Sequence, residues 1–308
     1  MIQAMSWRSA CTWSHQPGVR PTRIGVTGRW FGLIALSSLL LWFPGMESEL
    51  GAQRPPLVAA AANLNVALTE MADGFARSQG RRVELVFGAS GTLTRQILDG
   101  APFEMFLAAD EEFPNRLTAA GLTRDAGVVY AVGRLALFAP TGSPLTVDER
   151  LDGLARLVKA GRVSRFAIGN PDVAPYGRAA EAVLRKRGLW DAIRPRLVLG
   201  DTIAQAAQFA TTGNAVGGLI ASSLVLGPGF ADRGTYAVVP EADHPPLRQR
   251  MVLLKRAGGT AESFFAYVRS DAGRVVLRNC RDPACIVTGD GPVAGGGQRR
   301  CCRQRCHL

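Results

Sequence analysis

The chain has 308 residues, room for about two domains, and its 47% hydrophobic and 20% charged content excludes a wholly disordered or fibrous protein. A net charge of +11 would point to nucleic acid or a membrane surface if the body carried it. Much of it sits at the ends: residues 1–52 hold four Arg against two Glu and residues 279–308 five Arg against two Asp, leaving +6 for the middle and no expected nucleic-acid partner.

Cysteine is distributed in the same uneven way. Cys11 lies near the start, and Cys280, Cys285, Cys301, Cys302 and Cys306 lie in the last thirty residues. The body between them therefore has neither a disulfide framework nor a cysteine metal site. It also has a single histidine, His244, so a His-rich metal cage is excluded and any Ser-His-Asp triad would rest on that one residue. His244 falls among prolines in EADHPP, which predicts a surface loop.

Arg20, Arg23 and Arg29 precede an apolar run of fourteen residues, Trp30 to Phe43, too short for the roughly twenty a membrane helix needs. The pattern predicts a signal peptide with cleavage after Ala52, hence export to the periplasm. From Leu57 the hydrophobic period alternates between short β-rich runs and helical stretches, the pattern of an α/β fold with mostly parallel sheets. Strands are expected at LVAAA (Leu57 to Ala61), VELVF (Val83 to Phe87), MFLAA (Met105 to Ala109), RLALFAP (Arg134 to Pro140), FAIGN (Phe166 to Asn170), LVLGD (Leu197 to Asp201), VGGLI (Val216 to Ile220) and MVLLK (Met251 to Lys255). Helices are expected after most of them, the last near Glu262 to Arg269 and Asp271 to Leu277. Two α/β lobes fit the length. Residues 279–308, rich in Gly, Arg and Cys without an apolar period, read as a disordered tail.

Four segments share one grammar, in which a strand ends, small or hydroxyl-bearing residues turn, and a helix begins. They are AAANLN (Ala60 to Asn65), GASGTL (Gly88 to Leu93), APYGRA (Ala174 to Ala179) and GDTIAQ (Gly200 to Gln205). Such turns aim backbone N–H groups and the positive end of a helix dipole outward, making an anion site without a charged side chain. Singly, Asn63, Ser90 and Thr202 are equally well read as helix caps. Tyr176 is not needed for capping, and packing is its alternative role. GASGT lacks the last glycine of a nucleophile elbow, so a serine hydrolase using Ser90 is the weaker alternative. Asp110, Glu111 and Glu112 open a helix, where carboxylates complement its dipole.

Taken together, AAAANL (Ala59 to Leu64), GASGTLTRQILDG (Gly88 to Gly100), APFEMFLAADEEFPNRL (Ala101 to Leu117) and NPDVAPYGRAAEAVL (Asn170 to Leu184) resemble the periplasmic molybdate-binding proteins of ABC importers. The resemblance covers about Leu57 to Leu277. It implies a two-lobed class II periplasmic binding-protein fold with the ligand in the interlobe cleft. The expected order is residues 1–52 as signal peptide and upstream extension, 53–133 in the first lobe, 134–239 in the second, and 240–278 returning to the first. It further implies a monomeric non-enzyme without a cofactor that captures molybdate or tungstate and delivers it to a membrane ABC permease. Carried over by position, Asn63 and Ser90 are first-lobe ligand residues with Ala62 as a backbone neighbour, and Tyr176 and the backbone of Ile203 are second-lobe ones. Sulfate or another tetrahedral oxyanion is the alternative ligand. A protonated oxyanion such as phosphate would want an acceptor in the cleft, and Asp201 is the one obvious candidate in the four turns.

Overall fold

The structure, a computed structural model, describes residues 54–279 except 213–214, 228–229 and 231. The expected signal peptide and the Cys/Arg-rich tail lie outside the described residues. Among the described residues, ten strands form two five-stranded sheets. They are β1 (Leu57–Ala61), β2 (Glu84–Gly88), β3 (Phe103–Leu107), β4 (Val128–Gly133), β5 (Leu135–Pro140), β6 (Phe166–Gly169), β7 (Leu197–Gly200), β8 (Gly217–Ala221), β9 (Gly234–Val238) and β10 (Leu247–Leu253). The helices are α1 (Asn65–Gln79), α2 (Ser90–Leu98), α3 (Glu112–Ala119), α4 (Asp152–Lys159), α5 (Pro175–Lys186), α6 (Trp190–Ile193), α7 (Ile203–Thr211), α8 (Ser222–Val225), α9 (Gly259–Arg269) and α10 (Asp271–Asn279). A short 3-10 turn, Ala62–Leu64, joins β1 to α1.

The first sheet runs β2-β1-β3-β10-β4 and the second β7-β6-β8-β5-β9. Each is the sheet of one lobe. The chain leaves the first at Gly133 and enters the second at Leu135, then returns through β10, which inserts between β3 and β4. In both sheets the strands joined through helices pair in parallel, β1 with β2 and β3, and β6 with β7 and β8. The strands at the crossings pair antiparallel, β10 with β3 and β4, and β5 with β8 and β9. The sheets are thus mixed rather than mostly parallel, because strands that run between lobes need no crossover helix.

The order of the core follows from the patterning. The buried strands are almost continuously apolar, as strands covered on both faces must be. On the first sheet Phe75 of α1 packs edge-on against Phe264 of α9, ring centres 5.2 Å apart. Such a pair adds about 0.5–1.5 kcal/mol to the area that it buries.

Register decides where the turns emerge. Ala61 is level with Gly88 in the β1–β2 pair, and Gly169 with Gly200 in the β6–β7 pair. The strands of each pair therefore end together, and the turns that follow open side by side at one sheet edge. Strands β4 and β9 and helices α4, α6 and α8 lie outside the expected elements, although Leu154 and Leu157 of α4 share one buried face. Helix α5 begins at Pro175, with the proline in the first turn where its missing N–H costs nothing. His244 is buried, 7% exposed, instead of on the surface. Its neighbour Asp243 is tied to Lys186 and Arg187 at the end of α5, which draws the proline loop inward.

Candidate functional site

The four strand-turn-helix segments meet. A small cavity is lined by Ala61, Ala62 and Asn63 at the end of β1 and beyond, and by Gly88, Ala89 and Ser90 at the end of β2 and beyond. Ala109 after β3, Ala174, Pro175 and Tyr176 at the start of α5, and Ile203 at the start of α7 complete it. It has at most the room of one water molecule. All five residues singled out from the sequence, Ala62, Asn63, Ser90, Tyr176 and Ile203, are brought to this one wall. None of the lining side chains carries a charge.

Each polar side chain has a specific assignment. Of the three residues that read as helix caps, only Thr202 caps, its hydroxyl accepting from Gln205 N–H at 3.1 Å. Ser90 is the first residue of α2, and its Oγ accepts from Ala109 N–H at 3.0 Å across the turns after β2 and β3. Having accepted, the hydroxyl still has its proton to donate. Asn63 sits inside the 3-10 turn, 5% exposed, where its Nδ2 donates to Gln249 Oε1 at 3.3 Å. Its Oδ1 is buried without a partner among the described residues. Tyr176 is 1% exposed and its hydroxyl accepts from Gln249 Nε2 at 3.1 Å. Asp201 does not line the cavity; it is exposed and lies instead on a separate depression with Asn65, Thr202 and Gln208. No carboxylate therefore faces the cavity.

Ser90 has no histidine among its hydrogen-bond partners, and the His244 imidazole Nδ1 is 2.8 Å from the Pro245 carbonyl oxygen. The nucleophile-base pair that a serine hydrolase needs is thus missing among the described residues.

The charges gather just outside. Arg178 of α5, in the second lobe, pairs with Asp110 and, at 3.3 Å, with Glu112 of the first, and its guanidinium lies 4.9 Å from the centre of the Phe113 ring. Burial pushes the Asp110 carboxyl above the ordinary aspartate value, outweighing the Phe113 N–H bond and the Arg178 charge that act the other way. Burial would also raise Glu111, but hydrogen bonds from Arg250 and Arg248 win and hold it below its ordinary value. Two further bonds tie the lobes, Gly91 N–H to Val173 O at 2.9 Å and Ser223 Oγ–H to Asn63 O at 3.2 Å. The sequence reading missed Gln249, which belongs to no turn motif, and Arg178, which lies within APYGRA, because both act through partners far along the chain.

With this geometry in view, similarity to known proteins becomes informative. Residues 56–279 match the family model described as bacterial extracellular solute-binding protein. The chain belongs to that family. Within it, the molybdate-binding protein ModA of Azotobacter vinelandii is 37% identical over 224 residues, 72% of this chain and 86% of the relative. The ModA of Rhodobacter capsulatus is 34% identical over 225 residues, 72% and 85%. Among solved structures, the Azotobacter vinelandii periplasmic molybdate-binding protein superposes with a TM-score of 0.67 at 27% identity, covering 73% of this chain and 97% of that one. The sulfate-binding protein SubI of Mycobacterium tuberculosis H37Rv, at 16% identity and a TM-score of 0.59, shares the fold.

Proposed function

We propose that this solute-binding protein captures molybdate, and tungstate with it, between its lobes and hands it to a membrane ABC permease, acting outside the cytoplasm after removal of its leader and without catalysing a reaction. The observation that carries the reading is an uncharged cavity lined by the starts of helices from both lobes, in a chain 37% identical to a molybdate-binding protein.

A buried dianion must exchange its water for other donors, since leaving it unpaired is prohibitive. The hydroxyls of Ser90 and Tyr176, the Asn63 carboxamide and the backbone N–H groups at the starts of α2, α5 and α7 are the donors we assign, with Ala62 and Ile203 contributing main chain. Hydrogen bonds to a charged partner contribute about 1.5–3 kcal/mol each, so a handful offset the desolvation and ordering costs of binding. A lysine or arginine in the wall would hold any anion. Neutral donors at fixed spacing discriminate by size and protonation state instead. The absence of a carboxylate from the lining favours a fully deprotonated tetrahedral dianion over phosphate.

Thermal unfolding in the presence of molybdate, tungstate, sulfate and phosphate tests the proposal. Molybdate and tungstate are expected to raise the midpoint, by the equivalent of about 2.7 kcal/mol at a hundred times the dissociation constant. No shift with either, or a larger one with sulfate, overturns it.

A further inference from the structure

Behind the cavity lies a buried polar network centred on a residue that does not line it. Gln249 is on β10, where the pairing with β4 slips by a residue, and it is 1% exposed. Its Oε1 accepts from Asn63 Nδ2 at 3.3 Å and from the Tyr130 hydroxyl at 3.0 Å, while its Nε2 donates to the Tyr176 hydroxyl at 3.1 Å. Asn63 belongs to the first lobe and Tyr176 to α5 of the second, so one carboxamide touches a cavity-lining group from each side. Gly133, where the chain crosses between lobes, makes the room: a Cβ there would fall on the Tyr176 hydroxyl and 2.7 Å from Gln249 Nε2.

We propose that Gln249 is a positioning residue for the oxyanion site, fixing the hydrogen-bond polarity of Tyr176 and the orientation of Asn63. The inference rests on the reading of the cavity as an oxyanion site. A carboxamide is the neutral side chain that can accept at one end and donate at the other. By donating to Tyr176 it makes that hydroxyl an acceptor on its inner side and turns the phenolic proton away from Gln249, which is the polarity a dianion wants. By accepting from Asn63 it holds that side chain in one rotamer. Because the Gln249–Tyr176 bond runs from the first lobe to the second, closure of the lobes and orientation of the tyrosine are one event.

The test is calorimetric titration of molybdate into the full chain as wild type, Gln249→Met, Gln249→Glu, Tyr176→Phe and the Gln249→Met/Tyr176→Phe double variant, with ligand-free thermal midpoints alongside. Methionine keeps the length and volume and removes both polar functions, and binding is expected to weaken about tenfold or more. Glutamate keeps the acceptor towards Asn63 and Tyr130 but takes the tyrosine proton for itself, and should bind more weakly still. In the Tyr176→Phe background the methionine change should cost a clearly smaller factor than in wild type, since it acts partly through that hydroxyl. A merely structural role would lower the midpoints and leave the two factors to multiply. Wild-type affinity in either Gln249 variant, or simple multiplication in the double variant, overturns the proposal. Should the methionine variant fail to fold, the isosteric glutamate variant decides on its own affinity. Failure of the wild type to bind molybdate refutes the proposed function, whereas wild-type binding with unchanged Gln249 variants refutes only this role.

Discussion

Ala109 and Asp110 are consecutive, yet they belong to opposite kinds of surface. Ala109 closes a cavity whose lining has no formal charge, and Asp110 opens a rim where three carboxylates, Asp110, Glu111 and Glu112, meet four guanidinium groups, Arg116, Arg178, Arg248 and Arg250. The two regions share the task of joining the lobes and divide the chemistry. Charge at the rim pairs protein with protein, and except at the buried Asp110 partial solvent exposure keeps these pairs weak and reversible. Inside, where exposure falls to a few per cent, a fixed charge would be costly when the site is empty and indiscriminate when it is full. Neutral donors avoid both.

Putting a charge into the wrong region is the strongest way to break that division. Asn63→Asp places a carboxylate against the cavity without a cation to meet it, and a buried unpaired charge costs about 3–5 kcal/mol before repulsion of a dianion is counted. Molybdate affinity should fall by more than about a hundredfold by calorimetry. A loss of less than a few fold would mean that the carboxamide faces away from the ligand.

A purely steric change comes next. The Gly91 N–H bonds Val173 O across the cleft, and a Cβ at position 91 would lie 3.0 Å from Val173 Cα and 2.8 Å from the Phe113 ring. Gly91→Val should wedge the lobes apart. Overpacking of this kind costs about 1–3 kcal/mol, so affinity is expected to drop roughly ten- to a hundredfold, mainly through faster release. Stopped-flow release at the wild-type rate would show that the cleft closes around the side chain without penalty.

How much of this was legible in the sequence follows the same division. The cavity residues could be read because a strand end, a small-residue turn and a helix start are local signals, and parallel register then brings neighbouring turns together. Asn63, Ser90 and Tyr176 stand out within six-residue windows, whereas Ala62 and Ile203 are assigned only through the resemblance to the family. The capping reading of Asn63 and Ser90 could not be settled that way, since it depends on Gln249, 186 residues from Asn63, and on the Ala109 N–H, 19 residues from Ser90. The rim was misweighted for the same reason. Asp110, Glu111 and Glu112 read as dipole partners of their own helix, whereas they pair with guanidinium groups 66 to 139 residues away on α5 and β10, Glu112 in addition with Arg116 of its own helix. His244 misled because prolines signal a loop without saying which way the loop folds. Sequence periodicity thus gives element and turn, while polarity within the site is a long-range property that only packing decides.

The smallest expected effect probes the rim through pH. Burial raises the Asp110 carboxyl in the folded chain, so between the ordinary aspartate value and the raised one the folded protein holds more protons than the unfolded chain. Stability from this group is therefore fully present below the ordinary value and is lost as pH climbs through the folded one. Asp110→Asn removes the titration and keeps the shape. The difference in thermal midpoint, wild type minus variant, should decline as pH rises from the ordinary aspartate range and then level off. A difference that instead grows with pH would mean that Arg178 outweighs burial and that the rim holds its charge by attraction. In that case the salt bridge, and not the neutral cavity beside it, would be the stronger tie between the lobes.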